Sequence, residues 1–163
     1  MDVDAGFEEL YRAEGRAVFT TVYLLCWDRA VAEDATQEAF ARALERWERL
    51  RGQAWAAGWV NTTAVNVARR TLRRRRVPPT GKATEPDADA VIDLWRQVRR
   101  LSQAQRVAVI LYYRLDLPVA SIAELMQCRE GTVRPHLAHA RCFLRQRLRE
   151  DLDEDRRESP LPL

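Results

Sequence analysis

Apolar residues recur at steps of three, four and seven along almost the whole chain, and the strict alternation that a half-buried strand requires is absent. That periodicity predicts an all-α protein. Phe7, Leu10, Tyr11, Val18, Val22 and Leu25 mark a first helix over about 5–26, closed by Asp28. Ala32, Ala35, Ala39, Phe40, Ala43, Leu44 and Trp47 mark a second over about 30–50, with Asp34, Gln37 and Glu38 pointing elsewhere. A third, over about 57–76, packs along Val60, Ala64, Val67 and Thr71, which fall within about 40° of one another at ~100° per residue. Its opposite face carries Trp59, Thr62, Asn66, Arg69, Arg73 and Arg76: an aromatic ring, an amide and a line of guanidiniums.

The stretch Val77-Pro78-Pro79-Thr80-Gly81 ends this third helix, because a residue before proline avoids the helical region and Gly81 disfavours any continuation. The chain therefore reads as two small helical domains, 1–77 and 91–150, joined by a flexible acidic linker over 78–90 and trailed by an acidic, disordered tail over 151–163. A domain of about 75 residues buries only roughly 60% of its unfolded surface, so a partner surface would help either one.

Helicity resumes with Val91, Leu94, Trp95, Val98 and Leu101 and restarts at Ser102, whose partner Gln105 three residues on makes a capping box. Val107, Ile110 and Leu111 line that helix. After the turn at Asp116-Leu117-Pro118, a short helix turns Val119, Ile122, Ala123 and Met126 inward. A turn at 127–130 then leads into a long helix from Gly131, with Val133, Leu137, Ala140 and Leu144 as its seam. This is helix-turn-helix spacing, and Arg134, Pro135, Ala138 and His139 lie on the side that can enter a major groove.

Charge is segregated. Residues 1–50 sum to −5, 51–79 to +7, 80–95 to −3, 96–150 to +7 and the tail to −3. Two basic blocks flanked by acidic ones point to two polyanion-binding surfaces, since guanidinium forks pair with phosphate oxygens and release condensed counterions. The plainer alternative is a set of solvated helix faces. No Gly-rich phosphate loop, nucleophile elbow or His-Glu zinc motif is present, which argues against an enzyme. The longest apolar run is far below the ~18 residues of a membrane span, and the acidic start lacks the positive region of a secretory signal, so a cytoplasmic protein is expected. His136, His139 and Cys142, with Cys128 nearby, invite a metal reading, but successive steps of three diverge by about 120° in all and no Cys-x-x-Cys pair supports them. No metal and no cofactor are expected.

The arrangement of an acidic-then-basic helical bundle, a proline-bearing tether and a C-terminal helix-turn-helix resembles bacterial RNA polymerase sigma factors of the extracytoplasmic-function group, and the resemblance covers nearly the entire chain. The run from Ala32 to Phe40 looks like the family's polymerase-binding segment. Ala54 to Arg76 looks like its promoter-melting segment. Ile122-Ala123-Glu124-Leu125, Glu130-Gly131-Thr132-Val133-Arg134 and Ala140-Arg141 look like its region-four helix-turn-helix.

The resemblance implies a specificity subunit that binds the clamp and flap of core RNA polymerase, guides it to promoter DNA and helps open it. It also implies an anti-sigma factor as partner and a monomer when free. Asp34, Gln37 and Glu38 would accept hydrogen bonds from the polymerase. Around the minus-10 element the candidates are Arg51, Trp55, Trp59, Thr62, Asn66, Arg69, Arg70, Arg73 and Arg76. The loop over 51–58 is suited to holding an extruded base; either tryptophan fits the bundle core equally, and helical angle favours Trp59 as the groove-facing one. At the minus-35 element the candidates are Arg129, Thr132, Arg134, Pro135, Ala138, His139, Arg141 and Arg145, with Arg134 best placed to read a guanine edge. Two residues depart from the family pattern: Pro135 stands where a small hydroxyl residue is usual, and Arg129 where a capping Ser or Thr is usual. The competing reading is a free-standing homodimeric helix-turn-helix regulator, which leaves the acidic helix, the Trp-Asn-Arg face and the tether unexplained.

Overall fold

The structure, a computed structural model, describes residues 4–74 and 89–158. The chain divides into two compact units, one before residue 85 and one from there on, and the described residues of both are helical with no strand.

In the first unit α1 (Ala5–Cys26), α2 (Arg29–Glu45) and α4 (Ala56–Arg74) pack together, with a single turn, α3 (Trp47–Leu50), between the last two. Asp4 caps α1 by accepting the Gly6 N–H at 2.8 Å. The helix ends at Trp27 in a left-handed conformation, whose N–H donates to the Tyr23 carbonyl. Asp28, expected to close α1, instead opens α2 by accepting the Val31 N–H at 3.1 Å. The core is Val18, Val22, Leu24 and Leu25 against Val31, Ala32, Ala35, Ala39 and Ala43, completed by Val60, Ala64, Val65 and Ala68. The alanine stripe of α2 lets its neighbours approach closely, and that close packing fixes which faces remain outside.

Two sequence expectations change here. The second helix does not run unbroken to 50: it stops at Glu45, and Arg46 leaves the helical region at φ −111° and ψ 14°. The break lets Trp47 meet Phe7 edge to face at 5.6 Å and buries Leu50. Leu44 and Tyr11, read as packing residues, are 39% and 52% exposed; the Tyr11 ring covers Phe40 from outside.

In the second unit α5 (Asp89–Arg100), α6 (Gln103–Val109) and α7 (Val119–Met126) pack on or beside α8 (Glu130–Glu158). The predicted capping box is present: Ser102 accepts the Gln105 N–H and the Gln105 side chain accepts the Ser102 N–H. α6 widens into a π turn over Ile110–Arg114, and Asp116 comes next at φ 49°, a left-handed conformation. Asp is tolerated there but Gly suits it better. Asp116→Gly relieves left-handed strain of about 1–2 kcal/mol against about 0.5–1 kcal/mol lost to the freer unfolded chain, so a net gain of up to about 1 kcal/mol is expected, read as a higher urea midpoint; a lower midpoint would count against this account. α7 ends on Gln127, also left-handed, and the Cys128 N–H closes back on the Ala123 carbonyl at 3.0 Å, a Schellman-type end. Val98, Leu101, Val107, Ile110, Leu111, Ile122, Val133, Leu137 and Ala140 form the core. Leu94, expected inside, is part exposed.

The helical backbone of α8 continues through Glu158, so the segment from 151, read as disordered tail, is helical over most of its length. The linker 78–90 falls outside the described residues except for Asp89 and Ala90, which begin α5, and the end of the tail, 159–163, falls outside as well.

Candidate functional site

Three exposed surfaces carry the candidate residues. The first is a ridge of α2. Its buried residues, Ala32, Ala35, Thr36, Ala39, Phe40 and Ala43, occupy one side; Asp34, Gln37 and Glu38 are all exposed on the other, as expected. The same ridge carries exposed Ala41, Leu44 and Glu45, which fall within about 80° of Asp34 at ~100° per residue. Glu38 is held by an ion pair to Arg42 one turn on, and Arg29 pairs with Glu33 at 2.7 Å. The ridge is therefore acidic with an apolar end. Leu44 was missed as a surface residue because periodicity assigns it to the packing stripe.

The second surface lies at the start and along the outer face of α4. The loop expected over 51–58 is shorter, because α4 already begins at Ala56. Gly52 turns the chain at φ 74°, which L side chains rarely adopt, and the Trp55 carbonyl accepts the Trp59 N–H at 2.9 Å to start the helix. Trp55 is 54% exposed. Trp59 is half-buried, and the Arg46 guanidinium lies 5.7 Å from its ring centroid. Trp55 is thus the more exposed ring, and Trp59, on the outer α4 face that helical angle gives it, is partly covered by Arg46. Thr62, Asn66 and Arg69 are half-buried and Arg70 and Arg73 exposed, while Val60, Ala64 and Val67 are buried as expected. Arg76 lies outside the described residues.

Arg51 sits 3.6 Å from both Asp4 and Glu48. The Gly6 backbone N–H, followed by the Trp47 indole, holds the Asp4 carboxyl below its ordinary range, so the partner of Arg51 stays charged. These are exposed pairs, which a phosphate can replace at small cost.

The third surface is the N-terminal half of α8. Arg129, Thr132, Arg134, Pro135, Ala138, His139, Arg141 and Arg145 are all exposed, and Val133, Leu137 and Ala140 buried. The Arg129 carbonyl accepts the Thr132 N–H at 2.8 Å, so the backbone of Arg129 opens the helix. Arg134 pairs with Glu130 at 3.4 Å, an i, i+4 contact that a base edge can displace. Pro135 lies inside α8, which starts at Glu130, and so deprives the Gly131 carbonyl of its N–H partner. Among the described residues no group of three His, Cys, Asp or Glu side chains converges as a metal site.

The Sigma-70 region 2 profile matches residues 10–77, and the Sigma-70 region 4 profile matches residues 92–144. The chain is 29% identical over 146 residues to the ECF RNA polymerase sigma factor SigM of Mycobacterium tuberculosis, covering 85% of this chain and 74% of that one. It is 28% identical over 158 residues to the RNA polymerase sigma-E factor of Streptomyces antibioticus, covering 90% and 87%. Its fold is shared with the sigma factor RpoE, solved with the anti-sigma factor NepR from Bartonella quintana, at a TM-score of 0.65 and 19% identity over 88% of this chain and 96% of that one. The region 2 match accounts for the N-terminal half, so the free-standing regulator finds no support.

Proposed function

The chain belongs to the sigma-70 family, as a sigma factor of the extracytoplasmic-function group that directs RNA polymerase to promoters, and on that premise we propose how the task is divided along it. Residues 1–77 dock on polymerase and open the minus-10 DNA, 78–90 tether, and 91–150 read the minus-35 element and meet the polymerase flap. One observation supports this division most directly: α2 and α4 of one unit expose an acidic ridge and an aromatic–basic strip. A protein that met only DNA would have no use for the ridge.

On the ridge, Asp34 and Glu38 accept hydrogen bonds from basic residues of the clamp coiled coil, Gln37 adds a neutral contact, and Ala41 and Leu44 extend the contact with apolar area. On α4, Trp55 stacks on an extruded base of the non-template strand while Arg69, Arg70 and Arg73 hold phosphates. On α8, Arg134 reads a guanine, Thr132, Pro135, Ala138 and His139 line the groove, and Arg129, Arg141 and Arg145 hold the backbone. The protein contributes no catalytic group of its own and works in the cytoplasm with the polymerase. An anti-sigma factor, the partner with which RpoE was solved, covers the polymerase-binding faces when the protein is held inactive.

The test is to mix the full chain with bacterial core RNA polymerase, follow co-elution by size exclusion, and map run-off transcripts over genomic fragments. Co-elution with defined start sites is expected. No association, together with dimeric binding to a palindrome, would overturn the proposal. Arg134→Ala is expected to relax selectivity at one minus-35 base by about 1–3 kcal/mol, measured as relative transcription from promoters varied at that base. Equal loss on every promoter would make Arg134 a phosphate contact instead.

A further inference from the structure

We infer that Arg46 is a single-strand DNA contact, a planar cation stacked on Trp59 that offers its outer face to an unpaired base. The inference rests on the proposed role of α4 and adds a residue from another element to it.

Arg46 stands at the break between α2 and α3, where its backbone leaves the helical region and the α2 stripe no longer dictates its direction. Its side chain is exposed, and among the described residues its one interaction is with the Trp59 ring, at 5.7 Å from the guanidinium carbon to the centroid. No carboxylate among them holds it, whereas Arg51 nearby in sequence has both Asp4 and Glu48. An exposed arginine that spends its rotamer freedom on an aromatic face, without an ion pair, is a pre-positioned plane.

Its place on the surface gives that plane a use. Trp59 shares the α4 face of Thr62, Asn66 and Arg69, and Trp55 lies one turn before it with its ring exposed. Arg46 therefore extends the strip at its aromatic end. Guanidinium planes stack on bases as aromatic rings do, tolerate any base, and keep their N–H edge free for a phosphate. A strand running along α4 would pass from phosphate-binding arginines to two stacking positions, the bare Trp55 ring and the Arg46–Trp59 pair.

The experiment uses holoenzyme reconstituted from the full chain and core RNA polymerase, with a fluorescent random-sequence single-stranded oligonucleotide as probe and salt titrated. Arg46→Ala is expected to weaken binding about tenfold and to lower the log–log salt slope by ~0.7, the value of one single-strand phosphate contact. Arg46→Lys is expected to restore the slope but not the affinity, because it keeps the charge and loses the plane. Full recovery by Lys would overturn the stacking role. Arg70→Ala, which removes a phosphate contact proposed for α4, separates the two levels of the argument. If it weakens binding while Arg46→Ala does not, Arg46 is no contact and the role of α4 stands. If neither variant weakens binding, the role of α4 fails and the inference with it. Unchanged far-ultraviolet circular dichroism of the free chain and co-elution with polymerase show that each variant is folded.

Discussion

Pro135→Ala is expected to raise the stability of the second unit by up to ~3 kcal/mol, the difference between Pro and Ala inside a helix. For a unit of this size that corresponds to a midpoint shift of up to roughly 12–24 °C. Pro135 lies well past the first turn of α8, where its missing N–H would have gone to the Gly131 carbonyl. The helix runs through it because Val133 on one side and Leu137 and Ala140 on the other are buried against α6 and α7. Core packing holds the segment helical against its local preference. Pro135 itself is exposed on the groove-facing side, so nothing in the core is lost with its ring. Thermal unfolding of the full chain checks this; an unchanged or lower midpoint would show that the ring is not a burden there. A proline kept at such a cost on the reading face fits a role in setting the minus-35 preference, and the stabilised variant should initiate less selectively.

The paired reversal Asp34→Arg and Glu38→Arg is expected to weaken association with core polymerase by about 2–5 kcal/mol, roughly thirtyfold to several thousandfold in Kd. Both side chains are exposed, and the core side of α2 is untouched. Loss of the Glu38–Arg42 pair leaves two like charges one turn apart, which costs the helix only about 0.2–0.5 kcal/mol. The fold should therefore persist, with circular dichroism as control, while the ridge now repels a basic partner. Fluorescence titration against core polymerase decides the matter. Wild-type affinity in the double variant would remove α2 from the docking surface and leave the polymerase contact to be found elsewhere.

Much of the architecture was legible because its causes are local. The seams of α4 and α8, the capping box at Ser102 and the start of the long helix each follow from spacing over one or two turns. The exposure of Asp34, Gln37, Glu38, Arg134 and His139 arises in the same way, since a polar residue opposite a buried stripe has only solvent to face. Asp28 was misplaced by one element for a local reason too: a carboxylate between two helices serves the next N-terminus better than the preceding C-terminus, where it meets carbonyl oxygens.

The break at Arg46 had no such signal, with neither Gly nor Pro nearby in α2. It exists because Trp47 and Leu50 find partners on the far side of a helix turn, Phe7 among them. Leu44 and Tyr11 carry the apolar spacing of packing residues, yet Leu44 is left exposed and Tyr11 meets Phe40 of α2 with one side only, and spacing cannot report how much of a residue its neighbours cover. The same holds for the two tryptophans. Helical angle puts Trp59 on the outer face, and only the arrival of Arg46 from another element partly covers it and leaves Trp55 the barer ring. Which segments are helical, and which side of each is polar, is written in the order of residues, because backbone propensity and amphipathic period act within a few positions. Which apolar residues stay uncovered, and which cation meets which ring, is settled by packing, because it depends on elements distant in sequence being brought together.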